Sequence, residues 1–252
     1  MNRRRALALA AGLALLLALA LATLPARLVV QWLDRERVAL SAVQGTLWRG
    51  SAARAMVMTV AGPMHLGELR WRLQPLSLLS LAPRVTVDSH WGSQRLVARL
   101  SRRGDRWELR DVDAMLDARL LRQLLPVELR GRISVQLASA TATAERLLQA
   151  EGRVVWQDAA WQTGRGRQRL GNFVALLSGD GEGAVAARID TLSGPLRVQG
   201  TLRLDGRRYS AQARIEAPGG MDAQLARALS LIAEPRENGY LLRLGGELGR
   251  LR

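Results

Sequence analysis

From residue 43 onward, apolar and polar residues alternate with a period of two. Leu69, Trp71 and Leu73 alternate with Arg70 and Arg72. Ile133, Val135 and Leu137 alternate with Arg132, Ser134 and Gln136, and Val198, Gly200, Leu202 and Leu204 with Arg197, Gln199, Thr201 and Arg203. Such strands turn one face to apolar neighbours and the other to water, which suits antiparallel sheets. Many begin at or just after a glycine (Gly45, Gly67, Gly131, Gly152, Gly200, Gly245). Turn signals separate them, as in Arg103-Gly104-Asp105, Gly179-Asp180-Gly181-Glu182-Gly183 and Asp205-Gly206. Two stretches have helical spacing instead. Leu116, Leu120, Leu121, Leu124 and Leu125 share one face of a helix expected over 113–125, with Asp113 as N-cap and Pro126 past its end. Met221, Leu225, Leu229 and Ile232 share one face of a second, over 221–233, between Gly219-Gly220 and Pro235. Residues 75–81 read as a helical turn or two. The expected fold is mainly β with short amphipathic helices, its antiparallel strands forming curled sheets or a sandwich.

The first 24 residues follow neither pattern. Arg3, Arg4 and Arg5 precede nineteen uncharged residues, almost all Ala and Leu. As a helix this run, from Ala6 through Leu13 and Leu17 to Leu24, spans about 28 Å, close to the hydrocarbon thickness of a bilayer. The arginines favour a cytoplasmic start. The expectation is a cytoplasmic tail at 1–5, a transmembrane helix at 6–24 and a juxtamembrane segment at 25–42. In that segment Trp32, among Arg27, Arg35 and Arg37, serves as an interfacial anchor. A cleaved signal peptide is the alternative, with Ala20-Leu21-Ala22 supplying small residues near a cleavage point; the length of the run favours a retained anchor. Both readings export the remainder of the chain.

An internal repeat organises the exported part. A shift of 102 residues carries Gly92, Arg95, Leu100, Gly104 and Arg106 onto Gly194, Arg197, Leu202, Gly206 and Arg208, and Trp107 onto Tyr209. Nearby shifts pair Leu66-Gly67-Glu68-Leu69 with Leu170-Gly171-Asn172-Phe173. Two similar β-rich units are expected, at 43–137 and 150–252, joined by a connector at 138–149.

Composition narrows the function. There are no cysteines, which excludes disulfides, thiolate metal sites and a cysteine nucleophile. The net charge is +15, but all the basic residues are Arg and they scatter along the chain. Arginines on the polar faces of strands account for them better than a nucleic-acid partner does, and an exported domain has no access to one. Such a domain, held near a membrane, is drawn to anionic headgroups. His65 and His90 are two lone histidines, too few for a typical zinc site. No nucleophile elbow, metalloprotease motif or phosphate loop occurs. Glu108, Asp111, Asp113 and Asp117 lack the offsets of a calcium loop. Trp48, Trp71 and Trp156 lie in alternating strands and read as packing residues. No catalytic residue, metal ligand, cofactor or small-molecule substrate is expected, so the chain reads as no enzyme.

Four ordered segments carry a resemblance: Gly45-Thr46-Leu47-Trp48-Arg49-Gly50-Ser51-Ala52; Leu66-Gly67-Glu68-Leu69-Arg70-Trp71-Arg72-Leu73-Gln74-Pro75-Leu76; Leu124-Leu125-Pro126-Val127-Glu128-Leu129-Arg130-Gly131; and Gly152-Arg153-Val154-Val155-Trp156, later joined by Gly194-Pro195-Leu196-Arg197-Val198-Gln199-Gly200. With the N-terminal run, they make the chain resemble protein N of the bacterial type II secretion system. The resemblance implies a single-pass protein of the cell inner membrane in Gram-negative bacteria, with a β-rich periplasmic domain. Its implied partners are the other inner-membrane platform proteins and the periplasmic part of the secretin channel; membrane lipid is the further partner expected from the charge. The strand pattern is also similar to AsmA-like envelope proteins. That gives an alternative in which lipid is handled through an apolar β groove.

Overall fold

A computed structural model describes residues 20–28, 38–59, 62–119, 128–143, 146–163, 166–181 and 183–247. Fourteen strands run in chain order: β1 (Val38–Gly45), β2 (Arg49–Thr59), β3 (Gly62–Leu73), β4 (Arg84–Trp91), β5 (Gln94–Arg103), β6 (Arg106–Asp117), β7 (Glu128–Ala142), β8 (Leu147–Thr163), β9 (Gly166–Gly179), β10 (Ala184–Ser193), β11 (Arg197–Asp205), β12 (Arg208–Glu216), β13 (Ala233–Arg236) and β14 (Gly239–Glu247). They make one antiparallel sheet in sequential order, except that β14 lies between β12 and β13. The expected sandwich does not form, because the strands stay in this one layer. The stretch 138–149 includes the end of β7 and the start of β8.

Register explains why the sheet has two chemically different faces. Directly paired residues share a face, and the pairs Leu69↔Ser89, Trp71↔Val87, Val87↔Ala98, Val135↔Val154, Trp156↔Phe173, Ala187↔Leu202 and Ala213↔Leu242 run across it. The opposite face takes the intervening residues, such as Arg70↔Asp88, Arg132↔Gln157 and Thr201↔Gln212. Tight turns keep the register. Gly104 and Gly206, at φ 61 and 59, each open a two-residue turn closed by the pairs Arg103↔Arg106 and Asp205↔Arg208. A positive φ at the first turn position favours glycine.

The helix expected over 113–125 is corrected by the structure. Asp113 caps nothing: it lies inside β6, paired with Val97 on β5 and Gln136 on β7. A bulge at Asp111 (φ 49) inserts one residue opposite Ala98. Beyond it Ala114 and Leu116 face the apolar side, opposite Val135 and Ile133. Pairing on both sides outweighs a weak local helical preference. Leu120, Leu121, Leu124 and Leu125 lie outside the described residues. The second helix is present but shorter, as α1 (Ala223–Ser230). Asp222 caps it, accepting from the backbone N–H groups of Gln224 and Leu225 at 2.8 and 3.2 Å. The turn read at 75–81 is a 3-10 helix, Pro75–Leu78.

No helix among the described residues is long and apolar enough to cross a membrane. Of the anchor residues, Ala6, Leu13, Leu17 and Trp32 lie outside the described residues. Leu24 is described, and its carbonyl accepts from the N–H of Leu47 at 2.8 Å.

Candidate functional site

The largest chemically coherent feature is the apolar face of the sheet. Its fully covered positions are mostly alanines, among them Ala52, Ala98, Ala114, Ala140, Ala150 and Ala213. Its larger side chains, including Leu69, Trp71, Leu96, Val135, Trp156, Phe173, Leu177 and Leu202, are only half-buried. No large side chain among the described residues is fully buried. A sheet packed under a second layer would bury those leucines and tryptophans completely. This face therefore has no second layer over most of its width.

The face is concave. Leu109 on β6, Leu137 and Ala140 on β7, Leu147 and Ala150 on β8, Leu177 on β9 and Val185 on β10 form one packed cluster on it. At the end of the sheet that carries the β5–β6, β7–β8 and β11–β12 turns, a cavity of about 780 Å³ is lined by Arg102, Asp105, Trp107, Thr143, Arg146, Asp205 and Arg208. In a flat sheet β6 and β11 stand five spacings apart, about 24 Å, whereas a sphere of that volume is only about 11 Å across. The sheet must curl to bring these turns round one space. At the opposite end α1 folds over the face. Met221 and Leu225 join Trp161, Leu170, Phe173 and Leu196 in a second cluster, and Leu229 is buried.

Three tryptophans fix this arrangement through their indole N–H groups. Trp71 donates to the carbonyl of Leu47 at 3.2 Å and Trp156 to that of Arg130 at 3.1 Å. Trp48 donates to the carbonyl of Leu21 at 2.8 Å, tying the end of the N-terminal apolar run to the β1–β2 turn. Beside it, Pro25 bridges to Thr46. Trp71 and Trp156 lie in β3 and β8 as expected, whereas Trp48 lies in the β1–β2 turn and not in a strand, and all three are only half-buried.

The outer face is polar and carries exposed ion pairs. Arg99 holds Asp111 at 2.6 Å, Arg203 holds Asp180 at 2.8 Å, and Arg188 holds Asp190 at 3.0 Å. The acidic run of the sequence is thus dispersed. Glu108 lies 3.5 Å from Arg110 and Asp117 lies 3.8 Å from Arg119. His90 contacts Asp88 at 3.1 Å and His65 stacks beside Trp91, each on its own strand. No group of three or more His, Cys, Asp and Glu among the described residues is placed to hold a metal ion. Of the Gly179-to-Gly183 stretch, Gly179 ends β9 and Asp180 accepts from the N–H of Ala184, the first residue of β10, at 3.0 Å. One feature escaped the sequence reading: Leu76, Leu79 and Leu81, around the 3-10 turn, are about four-fifths exposed. Their apolar character was legible, but the direction in which they point was not.

Comparison with known proteins bears on most of the chain. The family model described as Type II secretion system (T2SS), protein N matches residues 36–243. A relative named Type II secretion system protein N, from Aeromonas hydrophila, is 28% identical over 241 residues, covering 90% of this chain and 92% of that protein. No solved structure matches.

Proposed function

The chain belongs to the type II secretion system protein N family, and on that premise we propose that it is a non-catalytic, inner-membrane-anchored periplasmic component supporting export of folded exoproteins. The carrying observation is the family match, which extends from just before β1 into β14. The anchor is residues 6–24, with Arg3–Arg5 on the cytoplasmic side and all strands beyond the membrane. Supporting this, the last turn of that run is hydrogen-bonded to the sheet through Trp48 and Leu47. The partners are other inner-membrane platform proteins and the secretin. The outer edge of β1, which has no neighbouring strand among the described residues, offers backbone groups for strand addition. The two units, 43–137 and 150–252, arose by duplication, and their described strands belong to one sheet. The shift of 102 residues carries the β5–β6 turn onto the β11–β12 turn.

A second reading, lipid handling through an apolar groove, is favoured by one observation: the concave face is apolar and lacks a second layer over most of its width.

Two measurements test the first reading. A reporter fused after Arg252 must be active in the periplasm; activity only in the cytoplasm contradicts the topology. Replacing residues 1–24 with a cleavable signal peptide must weaken rescue of exoprotein release in a deletion strain, because tethering raises the effective concentration at the membrane platform. Full rescue contradicts the anchor's role. Unaltered exoprotein release in the deletion strain, together with altered lipid distribution, supports the second reading.

A further inference from the structure

We propose that the 3-10 turn Pro75–Leu78 and the arginines beside it form a membrane-contact site that seats the curled sheet on an anionic phospholipid bilayer. The turn is a fixed projection. The Ser77 hydroxyl is buried beneath it, donating to the Gln74 carbonyl and accepting from the N–H of Arg84 at 2.9 Å. The N–H of Ala82 bonds to the Ser77 carbonyl at 3.3 Å, and that of Gln74 to the Arg84 carbonyl at 3.0 Å. With the backbone held at both ends, Leu76, Leu79 and Leu81 stand 79%, 84% and 84% exposed. Large apolar side chains held in water on a rigid loop, beside basic residues, mark a surface that is covered in use.

The charge beside the turn names the cover. A cavity of about 400 Å³ is lined by Arg84, Arg99, Arg102, Arg103 and Arg110 against Glu108. Arg99 and Arg110 are engaged by Asp111 and Glu108. Arg84 and Arg103 have no acidic partner within 4 Å among the described residues. Unneutralised guanidinium groups next to exposed leucines match the two layers of a bilayer surface, phosphate above and acyl chain below.

Position selects the bilayer over another protein. The N–H of Leu73, where β3 leads into the turn, bonds to the Trp48 carbonyl at 2.8 Å. Trp48 in turn donates to the Leu21 carbonyl, inside the apolar run, at 2.8 Å. The leucine turn therefore lies at the end of the sheet where residues 20–24 meet it, and a membrane holding the run that ends there is within reach. Another exposed apolar pair, Leu231 and Ile232, lies beyond α1 at the far end.

This inference rests on the anchored reading, and the test separates the two. The chain has no cysteine, so one label reports one place. The full chain carrying Leu79→Cys, Leu76→Cys or Leu231→Cys is labelled with an environment-sensitive fluorophore. Each is placed in nanodiscs of phosphatidylglycerol and phosphatidylcholine, or of phosphatidylcholine alone. In the anionic discs, labels at 76 and 79 shift to the blue and are quenched by doxyl-labelled acyl chains. The label at 231 does neither. Adding Arg84→Glu with Arg103→Glu, or removing phosphatidylglycerol, reduces the shift at 79. Water-like emission at both 76 and 79 in a chain that remains with the disc overturns the contact site, as does equal behaviour of 79 and 231. A chain that leaves the disc overturns the anchored reading; emission of the 79 label with added anionic vesicles then decides the contact site by the same criterion.

Discussion

Gly50→Ala is the sharpest probe of the packing at the start of the sheet. Gly50 on β2 sits directly opposite Trp71 on β3, and the indole lies over the glycine. A Cβ built at residue 50 falls 2.3 Å from the ring carbon Cζ2 and 2.7 Å from Cε2. The ring must then move by about an ångström, and its N–H loses the 3.2 Å bond to the Leu47 carbonyl. Overpacking costs about 1–3 kcal/mol and a lost hydrogen bond about 1 kcal/mol, so Gly50→Ala should destabilise by about 2–4 kcal/mol. Trp71→Ala alone should cost about 2–3 kcal/mol, below the range for a fully buried Trp because this one is half-buried. In the double variant the clash is gone, and Gly50→Ala should add no more than about 0.5 kcal/mol. The cycle thus predicts a coupling of about 1.5–4 kcal/mol between the two sites, the Gly50→Ala cost that disappears when Trp71 is absent. Urea unfolding of the full chain in detergent, followed by far-ultraviolet circular dichroism, measures it, with unchanged m as the check on comparability. Additive costs, or a Gly50→Ala variant as stable as the parent, would refute the proposed indole–glycine contact.

Three further outcomes follow from named contacts. Leu229→Ala, at a buried position of α1, should cost about 2–3 kcal/mol, and hydrogen exchange should rise in α1 before it rises in β7 or β8. Asp222→Ala removes the cap of the same helix and should cost about 1 kcal/mol, with Asp222→Asn recovering most of it in thermal unfolding. Gly171→Val should cost more than either: its φ of 131 suits glycine, and an added Cβ falls 2.5 Å from the Ser193 carbonyl oxygen, so proteolysis near the β9–β10 pairing should increase.

Much of the sheet was written locally. Alternation such as Leu69-Arg70-Trp71-Arg72-Leu73 assigns both the strand and its faces, because the side-chain period of a strand is two. Glycines marked the turns for the same local reason, at Gly104 and Gly206. The segment from Asp113 misled because its leucines fit a helix, whereas pairing with Val97 and Gln136 is contributed by strands remote in sequence. The single uncovered layer was equally illegible. Alternation says that a face is apolar, not whether a second sheet lies on it. The curl that gathers Arg102, Arg146 and Arg208 round one cavity depends on the accumulated twist of many strands. The exposed leucines of the 3-10 turn were visible as residues, but their outward direction is set by Ser77 beneath them. The candidate anchor rests on composition, and only its end, tied to Trp48 through Leu21, is described.

The most direct test of the central claim is exoprotein activity in periplasm and medium, measured in a deletion strain complemented with the full chain or with single variants. Deletion should leave folded exoproteins in the periplasm, and the full chain should restore release. Asp111→Asn, Asp113→Asn and His90→Gln should restore it too, since the proposed role assigns chemistry to none of them. Unchanged release in the deletion strain would contradict the secretion role, and one of these variants failing as completely as the deletion while remaining folded would contradict the non-catalytic one.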